Sequence, residues 1–144
     1  MSSVAPRVPG RILVIDDDRS ARLLLERVLV RAGHKVTLVD NAEQGLQAIT
    51  QGGFDLLITD KNLPGTDGLE VLRQAREKQP AMQAIMVTGF PTNETHNHAR
   101  ELGVFGYVTK PFGVHDILDI CDAALRAGAA GEKSAGEKSA GEKK

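Results

Sequence analysis

The stretch Ile12-Leu13-Val14-Ile15-Asp16-Asp17-Asp18 decides how this chain folds. Its four apolar residues follow one another without polar alternation, which is typical of a strand that a parallel sheet covers on both faces. Three acidic residues follow at once, so the predicted strand ends where charged side chains begin. We therefore expect a buried strand with carboxylates at its carboxyl end.

Four further short apolar runs follow along the chain, at Val36-Thr37-Leu38-Val39, residues 54–59, residues 84–87 and Tyr107-Val108. Between the runs lie stretches with helical periodicity, the first formed by Ala21, Leu24, Leu25, Val28 and Leu29. The other stretches predict helices over about 41–51, 67–78, 92–102 and 113–127. Five strands that alternate with five helices predict an α/β fold, a doubly wound five-stranded parallel sheet of the flavodoxin-like kind with strand order 2-1-3-4-5.

The two ends of the chain differ in composition from its middle. Three copies of a five-residue unit begin at Ala130, Ala135 and Ala140, and they contain no large apolar side chain. Such a segment cannot bury enough surface to offset its ordering entropy. We therefore predict a folded domain over residues 11–128, a flexible N-terminal segment over 1–10 and a disordered tail over 129–144. A fusion remnant is an alternative origin for the tail.

Composition excludes several classes of function. The chain has 18 Lys and Arg against 19 Asp and Glu, a net charge of -1, so no overall basic surface favours nucleic acid or an anionic membrane. No apolar run approaches the roughly 18 residues of a membrane-spanning helix, and residues 1–10 lack the apolar core of a secretory signal. The single cysteine excludes an internal disulfide and suits a reducing compartment. We expect a cytoplasmic protein that neither binds nucleic acid directly nor inserts into a membrane.

Polar residues stand where the predicted strands end. Asp16 and Asp17 follow the first strand, Asp60 ends the third, Thr88 ends the fourth, and Lys110 follows the fifth. Because the first and third strands are neighbours in the predicted order, we expect the three carboxylates to converge. Two carboxylates about 4 Å apart repel each other by about 4 kcal/mol at an effective dielectric constant of about 20. A proton or a cation relieves that repulsion, and an all-oxygen cluster with open positions suits Mg²⁺.

The same residue types supply the parts of a phosphoryl-transfer site. Lys110 can offer an ammonium to an anionic oxygen, and Thr88 can donate a hydrogen bond from its hydroxyl. An aspartate carboxylate can itself act as the nucleophile and form an aspartyl phosphate, while the surrounding charges stabilise the transferring group. Asp18 differs from its neighbours, because it opens the first helix, where a short acidic side chain is typical of an N-cap.

Four motifs stand in a fixed order along the chain: Ile12-Leu-Val-Ile-Asp-Asp-Asp18, Leu57-Ile-Thr-Asp-Lys-Asn-Leu-Pro-Gly-Thr-Asp-Gly68, Met86-Val-Thr-Gly89 and Gly106-Tyr-Val-Thr-Lys-Pro-Phe112. Together they resemble the receiver domain of bacterial two-component response regulators. Each motif alone is common, but all four occur in the family's order and spacing over roughly residues 11–128. The resemblance is therefore specific, and it implies a phosphorylation-dependent signalling switch.

The resemblance implies a role for each acidic residue of the site. Asp60 would accept a phosphoryl group from a phosphohistidine on a sensor histidine kinase or a histidine phosphotransfer protein. Asp17, Asp60 and the main-chain carbonyl of Asn62 would hold Mg²⁺, with Asp16 acting partly through water.

The resemblance also implies how the signal would spread. Thr88 and Lys110 would bind the phosphoryl oxygens, Gly89 would leave room for the group, and the Lys110-Pro111 bond would be cis. Activation would draw Thr88 toward the phosphoryl group and let Tyr107 turn inward, which would change the surface of the fourth helix, fifth strand and fifth helix. A plain packing role for Tyr107 is the alternative, because a lone aromatic residue at a strand end often only fills the core.

Several functions fit such a switch. The first is a stand-alone receiver, monomeric or weakly dimeric when phosphorylated, that signals to an unidentified protein target and catalyses only its own phosphorylation and dephosphorylation. A phosphorelay intermediate and the receiver fragment of a longer DNA-binding regulator are alternatives. A small phosphatase with an aspartyl nucleophile is disfavoured, because such enzymes usually carry a second Asp two residues after the first, and Asn62 stands there.

The predicted fourth helix is the weakest element. Residues 92–98 include no apolar side chain, which leaves Ala99 and Leu102 as the main anchors, so we expect it to be the least stable helix. His96 and His98 are two positions apart and point in different directions, which predicts surface side chains rather than metal ligands. Cys121 lies in the apolar stripe of the last helix and is expected to fill the core.

Overall fold

A five-stranded parallel sheet forms the centre of the computed structural model, which describes residues 9–129. We number its strands β1 to β5 in chain order: Arg11–Ile15, Lys35–Val39, Leu56–Asp60, Gln83–Thr88 and Gly106–Thr109. They are hydrogen-bonded in the order β2-β1-β3-β4-β5, all parallel. The predicted doubly wound α/β fold and its strand order are therefore confirmed.

Four helices connect the strands and a fifth follows β5, and each connecting helix begins at a short polar side chain. We number them α1 to α5: Arg19–Arg31, Ala42–Gln51, Gly68–Lys78, Asn93–Glu101 and Val114–Ala129. The side chains of Asp18, Asn41, Asp67 and Thr92 each accept a hydrogen bond from a backbone amide in the first turn of α1, α2, α3 and α4 respectively. Each bond satisfies an amide that the helix leaves free. Asp18 is thus confirmed as an N-cap.

The sheet divides the hydrophobic core into two clusters. Leu13 and Ile15 of β1 belong to the cluster under α2, α3 and α4, and Ile12 and Val14 belong to the cluster under α1 and α5. All residues of β3 and β4 are buried, whereas β2 and β5 are only partly covered because they form the edges of the sheet. Cys121 is fully buried in the second cluster, as expected.

A short antiparallel hairpin follows β3 and was not predicted. Asn62–Leu63 pairs with Thr66–Asp67, and Gly65 turns the chain with a φ of 72°. The pair Pro64-Gly65 is typical of a turn, but a two-residue strand is too short to show a periodic pattern in the sequence. The hairpin leads the chain from the end of β3 directly into α3.

The limits of the folded region differ slightly from the predicted ones. Gly10 is buried, its amide donates to His34 Nδ1 over 3.2 Å, and its carbonyl accepts from Lys35 N, so the ordered contacts begin inside the predicted flexible segment. At the other end α5 continues to Ala129. The predictions for residues 1–8 and 130–144 lie outside the described residues. No helix in residues 9–129 is long and apolar enough to cross a membrane.

Candidate functional site

The register of the sheet brings the predicted site residues to one edge. Ile15 of β1 is paired with Thr59 of β3, so Asp16 lies beside Asp60, which in turn is paired with Val87 of β4. Thr88 of β4 is paired with Thr109 of β5, the residue before Lys110. All five strands are parallel, so these residues share the carboxyl edge, where α/β folds of this kind bind their ligands.

Three carboxylates meet at this edge, as the sequence predicted. Asp16, Asp17 and Asp60 each place one carboxylate oxygen within 4.8 Å of the others. Asp16 is 2% exposed and Asp60 is 6% exposed, whereas Asp17 is exposed. Two of the three carboxylates are therefore shielded from water, and the third, that of Asp17, is open to solvent.

Lys110 lies between the two buried carboxylates. Its Nζ is 2.9 Å from Asp16 Oδ2 and 3.0 Å from Asp60 Oδ2. The peptide bond between Lys110 and Pro111 is cis, as the resemblance implied. The backbone amide of Lys110 donates to the carbonyl of Thr88 over 2.8 Å, which fixes the start of this loop to β4.

The electrostatics of the site follow from burial and pairing. Burial raises the pKa of Asp16 above its ordinary value, and the nearby charge of Asp60 acts in the same direction, while hydrogen bonds from Asp18 and Lys110 oppose the rise. Burial disfavours the charged form of Lys110, but its hydrogen bonds to Asp16 and Asp60 outweigh this and raise the pKa of Lys110. One ammonium therefore faces three carboxylates and does not balance their charge.

The second oxygens of the buried carboxylates are held by the backbone. The amide of Asp18 donates to Asp16 Oδ1 over 2.9 Å, and the amide of Asn62 donates to Asp60 Oδ1 over 3.1 Å. These bonds orient both carboxylates toward Lys110 and the cluster. Asn62 is thus placed against Asp60, while the use of its main-chain carbonyl as a metal ligand stays a prediction.

Thr88 is fully buried at the end of β4, and its hydroxyl oxygen accepts a hydrogen bond from the amide of Phe90 over 3.0 Å. The space beside it is open, because a Cβ on Gly89 would meet its nearest neighbour, Lys110 Cβ, at 4.0 Å. The loop beyond is exposed, with Phe90 78% accessible to solvent. A group bound at Asp60 therefore has room on this side.

Gly68 supports the site in a way that no local pattern in the sequence reveals. A Cβ on this residue would lie 2.2 Å from the carbonyl oxygen of Asp60 and 2.8 Å from Lys61 Cα, which no real side chain allows. The amide of Gly68 donates to the carbonyl of Lys61 over 2.7 Å, and Lys61 Nζ is 3.0 Å from Asp67 Oδ2. The start of α3 thus packs directly against the backbone that carries Asp60.

Arg22 is a second contributor that the sequence did not reveal. Its guanidinium donates to the main-chain carbonyl of Asp16 over 2.7 Å, from one turn into α1. No local pattern marks this contact, because a loop separates the two residues. The bond holds the backbone of the acidic loop against α1.

The donor set fits a hard divalent cation. The three clustered ligands are all carboxylate oxygens, of which those of Asp17 are exposed, and Mg²⁺ favours oxygen ligands while keeping several waters. The excess of negative charge over Lys110 favours a cation in the same place. The cluster can therefore hold a metal ion.

Tyr107 lies in β5, three residues before Lys110, and is half-buried. Its ring packs against the cluster under α2, α3 and α4 and stacks on the imidazole of His96, with ring centroids 4.7 Å apart. Its hydroxyl is buried and has no hydrogen-bond partner within residues 9–129. His96 is exposed, as expected, but it also makes this ring contact. A switch role for Tyr107 stays a prediction.

Comparison with curated proteins gives relatives that are longer than this chain. The uncharacterized transcriptional regulatory protein YkoG of Bacillus subtilis (strain 168) is 35% identical over 117 residues, which are 81% of this chain and 51% of that protein. The DNA-binding transcriptional regulator NtrC of Escherichia coli (strain K12) is 33% identical over 116 residues, 81% of this chain and 25% of that protein. The chain thus spans about half of one relative and a quarter of the other.

Solved structures and a family model agree with the geometry. A CheY-like response regulator receiver domain protein from Methanospirillum hungatei JF-1 superposes with a TM-score of 0.83 at 30% identity, covering 86% of this chain and 99% of that one. NtrX from Brucella abortus gives a TM-score of 0.81 at 27% identity over 86% of this chain and 29% of that one. The family model described as the response regulator receiver domain matches residues 12–122. Together with the sheet order and the acidic edge, this match shows that the chain belongs to the receiver domain family of two-component response regulators.

Proposed function

We propose that this receiver domain is switched by phosphorylation of Asp60. The observation that carries the proposal is the position of that carboxylate: it ends β3, lies 3.0 Å from the ammonium of Lys110, and shares its edge with Asp16 and Asp17. The donor would be a phosphohistidine on a sensor histidine kinase or a histidine phosphotransfer protein.

The reaction is a single transfer between two nucleophiles. A carboxylate oxygen of Asp60 attacks the phosphorus and forms a P–O bond, while the P–N bond breaks and its electron pair returns to the imidazole of the donor. The product is an acyl phosphate on Asp60. Such transfer needs little covalent help from the protein, so positioning and charge stabilisation carry the catalysis.

The residues around Asp60 have separate tasks in that transfer. Lys110, already within hydrogen-bond distance of Asp60 Oδ2, donates to a phosphoryl oxygen attached there. Thr88 donates its hydroxyl hydrogen to another oxygen, and the open space at Gly89 admits the group. Asp16, Asp17, Asp60 and the main-chain carbonyl of Asn62 would hold Mg²⁺, which supplies positive charge for the phosphoryl oxygens.

The output would be a change in protein contacts. Phosphorylation adds negative charge at Asp60 and draws Thr88 toward it, and Tyr107 responds at the neighbouring strand, so the surface of α4, β5 and α5 changes. This is a shift between two populated states that one local charge biases. A downstream protein would read that surface.

The direct test is phosphorylation of the purified chain with acetyl phosphate and Mg²⁺, followed by intact-protein mass spectrometry. We expect the wild type to gain one phosphoryl group, to lose it at alkaline pH as an acyl phosphate does, and to gain none after chelation of Mg²⁺. Asp60→Asn should gain none, because an amide is not a nucleophile for this transfer.

The control is Asp119→Asn, which makes the same chemical change at an exposed acid on α5. It should be phosphorylated like the wild type. No mass gain in the wild type, or an equal gain in Asp60→Asn, would contradict the proposal.

A second candidate is that the receiver domain regulates a DNA-binding module in a longer protein. It is supported by NtrC, which is named as a DNA-binding transcriptional regulator and of which this chain spans a quarter. The reading frame of the gene decides it. A frame that continues past Lys144 into a DNA-binding domain supports this candidate, and a stop codon there contradicts it.

A further inference from the structure

A stack of two rings joins β5 to α4. The centroids of His96 and Tyr107 lie 4.7 Å apart, and the ring planes differ by 16°. Centroid distances of about 4.5–7 Å are those at which aromatic pairs attract each other. His96 is exposed and Tyr107 half-buried, so the imidazole is the outer member of the stack.

The polar end of Tyr107 does not explain the position of its ring. The hydroxyl is buried, and it has no hydrogen-bond partner among the described residues 9–129. Leaving a buried hydroxyl unpaired is unfavourable. The observed placement must therefore be stabilised by contacts of the ring itself, against the core cluster on one side and against His96 on the other.

The stack is also one of the few contacts by which α4 is attached. Of the nine residues of this helix only Ala99 is buried, and Leu102 just beyond it is half-buried. A helix with so little apolar burial gains proportionally more from one aromatic contact. The placement of the Tyr107 ring and the position of α4 are for this reason coupled.

We infer that His96 is a positioning residue, which holds the Tyr107 ring against α4 in the unphosphorylated protein. The inference rests on the proposed function only in its consequence, namely that the ring placement responds to a phosphoryl group at Asp60. A contact that stabilises the ring against α4 opposes its inward turn, because the contact with His96 and the turn of the ring are linked equilibria. Removing the imidazole should then shift the ring population before any phosphorylation.

The chain offers a clean probe, since Tyr107 is its single tyrosine. Protein labelled with 3-fluorotyrosine gives one ¹⁹F resonance, which reports the placement of this ring. In His96→Ala we expect the ratio of rings against α4 to rings turned inward to change by roughly three- to tenfold. This range corresponds to the free energy that an aromatic pair contributes. The resonance should move toward that of the wild type with beryllofluoride and Mg²⁺, and His96→Phe should restore the original position because it rebuilds the stack.

The matched control is His98→Ala, which removes the same side chain from another exposed position of α4. His98 makes no ring contact within residues 9–129. The ¹⁹F resonance of Tyr107 in His98→Ala should therefore equal that of the wild type. An unchanged resonance in His96→Ala, an equal change in His98→Ala, or no restoration in His96→Phe overturns the inference. Circular dichroism of each variant verifies that the fold is kept.

The two proposals fail in different measurements. If acetyl phosphate adds no phosphoryl group and beryllofluoride leaves the wild-type resonance unchanged, the switching role of Asp60 is wrong. The comparison of His96→Ala with the wild type needs neither reagent, and it decides the role of His96 by itself.

Discussion

Helices α3 and α4 are neighbours on the same face of the sheet, and they are held in different ways. α3 buries Gly68, Val71, Leu72 and Ala75, whereas α4 buries only Ala99 among its nine residues. Both begin at a capped turn, so local signals at the helix start do not separate them. The difference lies in the apolar face, because burial of large aliphatic side chains contributes about 1.5–3 kcal/mol each and a cap contributes about 1 kcal/mol.

The two helices also differ in their attachment to the site. The start of α3 touches the backbone of Asp60 through Gly68, while the exposed loop of Gly89, Phe90 and Pro91 separates Thr88 from α4. Arg76 near the end of α3 donates to the carbonyls of Leu102, Met82 and Gly103, so α3 also fixes the chain that follows α4. The well-packed helix places the phosphoacceptor candidate, and the sparsely packed helix is the one that the proposed switch would move.

The largest effect is expected from removing the apolar anchor of α3. Leu72 is 1% exposed, so Leu72→Ala should lower the free energy of unfolding by about 2–5 kcal/mol through lost burial and the cavity left behind. Leu102→Ala, at the half-buried end of α4, should lower it by only about 1–2 kcal/mol because less surface returns to water. Urea unfolding measures both values, and equal losses would show that α4 is anchored as firmly as α3.

A smaller but more local effect is expected at the junction of α3 with the site. In Gly68→Ala the added methyl collides with the main chain of Asp60 and Lys61, which should destabilise the fold by about 1–3 kcal/mol and slow phosphorylation by displacing Asp60. Gly89→Ala places the same methyl in open space and should change the stability by less than about 0.5 kcal/mol. If both variants unfold at the same urea concentration, α3 does not support the site in the way the contact suggests.

Much of this arrangement could be predicted from the sequence, because the patterns that indicate it lie within short segments of the chain. Fully buried strands such as β1 and β3 appear as apolar runs, and the acids that follow them mark the edge where ligands bind. Asp16, Asp60 and Lys110 converge because parallel strands put their ends together. The strands and the acids that follow them can be recognised within single segments, and the order of the strands follows from the general topology of doubly wound sheets.

The features that escaped prediction depend on contacts between segments. The carbonyl of Asp60 leaves no room for a side chain at position 68, so a glycine is required there. Arg76 donates to carbonyls 26 and 27 residues away, and His96 stacks on the ring of Tyr107. A sequence read for periodicity shows that His96 is on a polar helix surface, but it does not show which ring lies beside that surface. Side-chain partners of this kind are decided by packing, which no single segment contains.

The smallest expected effect concerns α5, the counterpart of α3 on the other face of the sheet. Burial, and to a lesser degree the charge of Asp122, raises the pKa of the Cys121 thiol to about 12, against 9.0 for an ordinary thiol. The folded protein keeps the thiol neutral, while the unfolded chain ionises it, so the stabilisation is complete below pH 9 and is lost as the pH rises toward 12. At about pH 10 the loss should reach about 1.4 kcal/mol. Cys121→Ala lacks this titration, so its unfolding free energy between pH 8 and 10 should fall less steeply than that of the wild type. Parallel curves would mean that the thiol is not buried in the folded core.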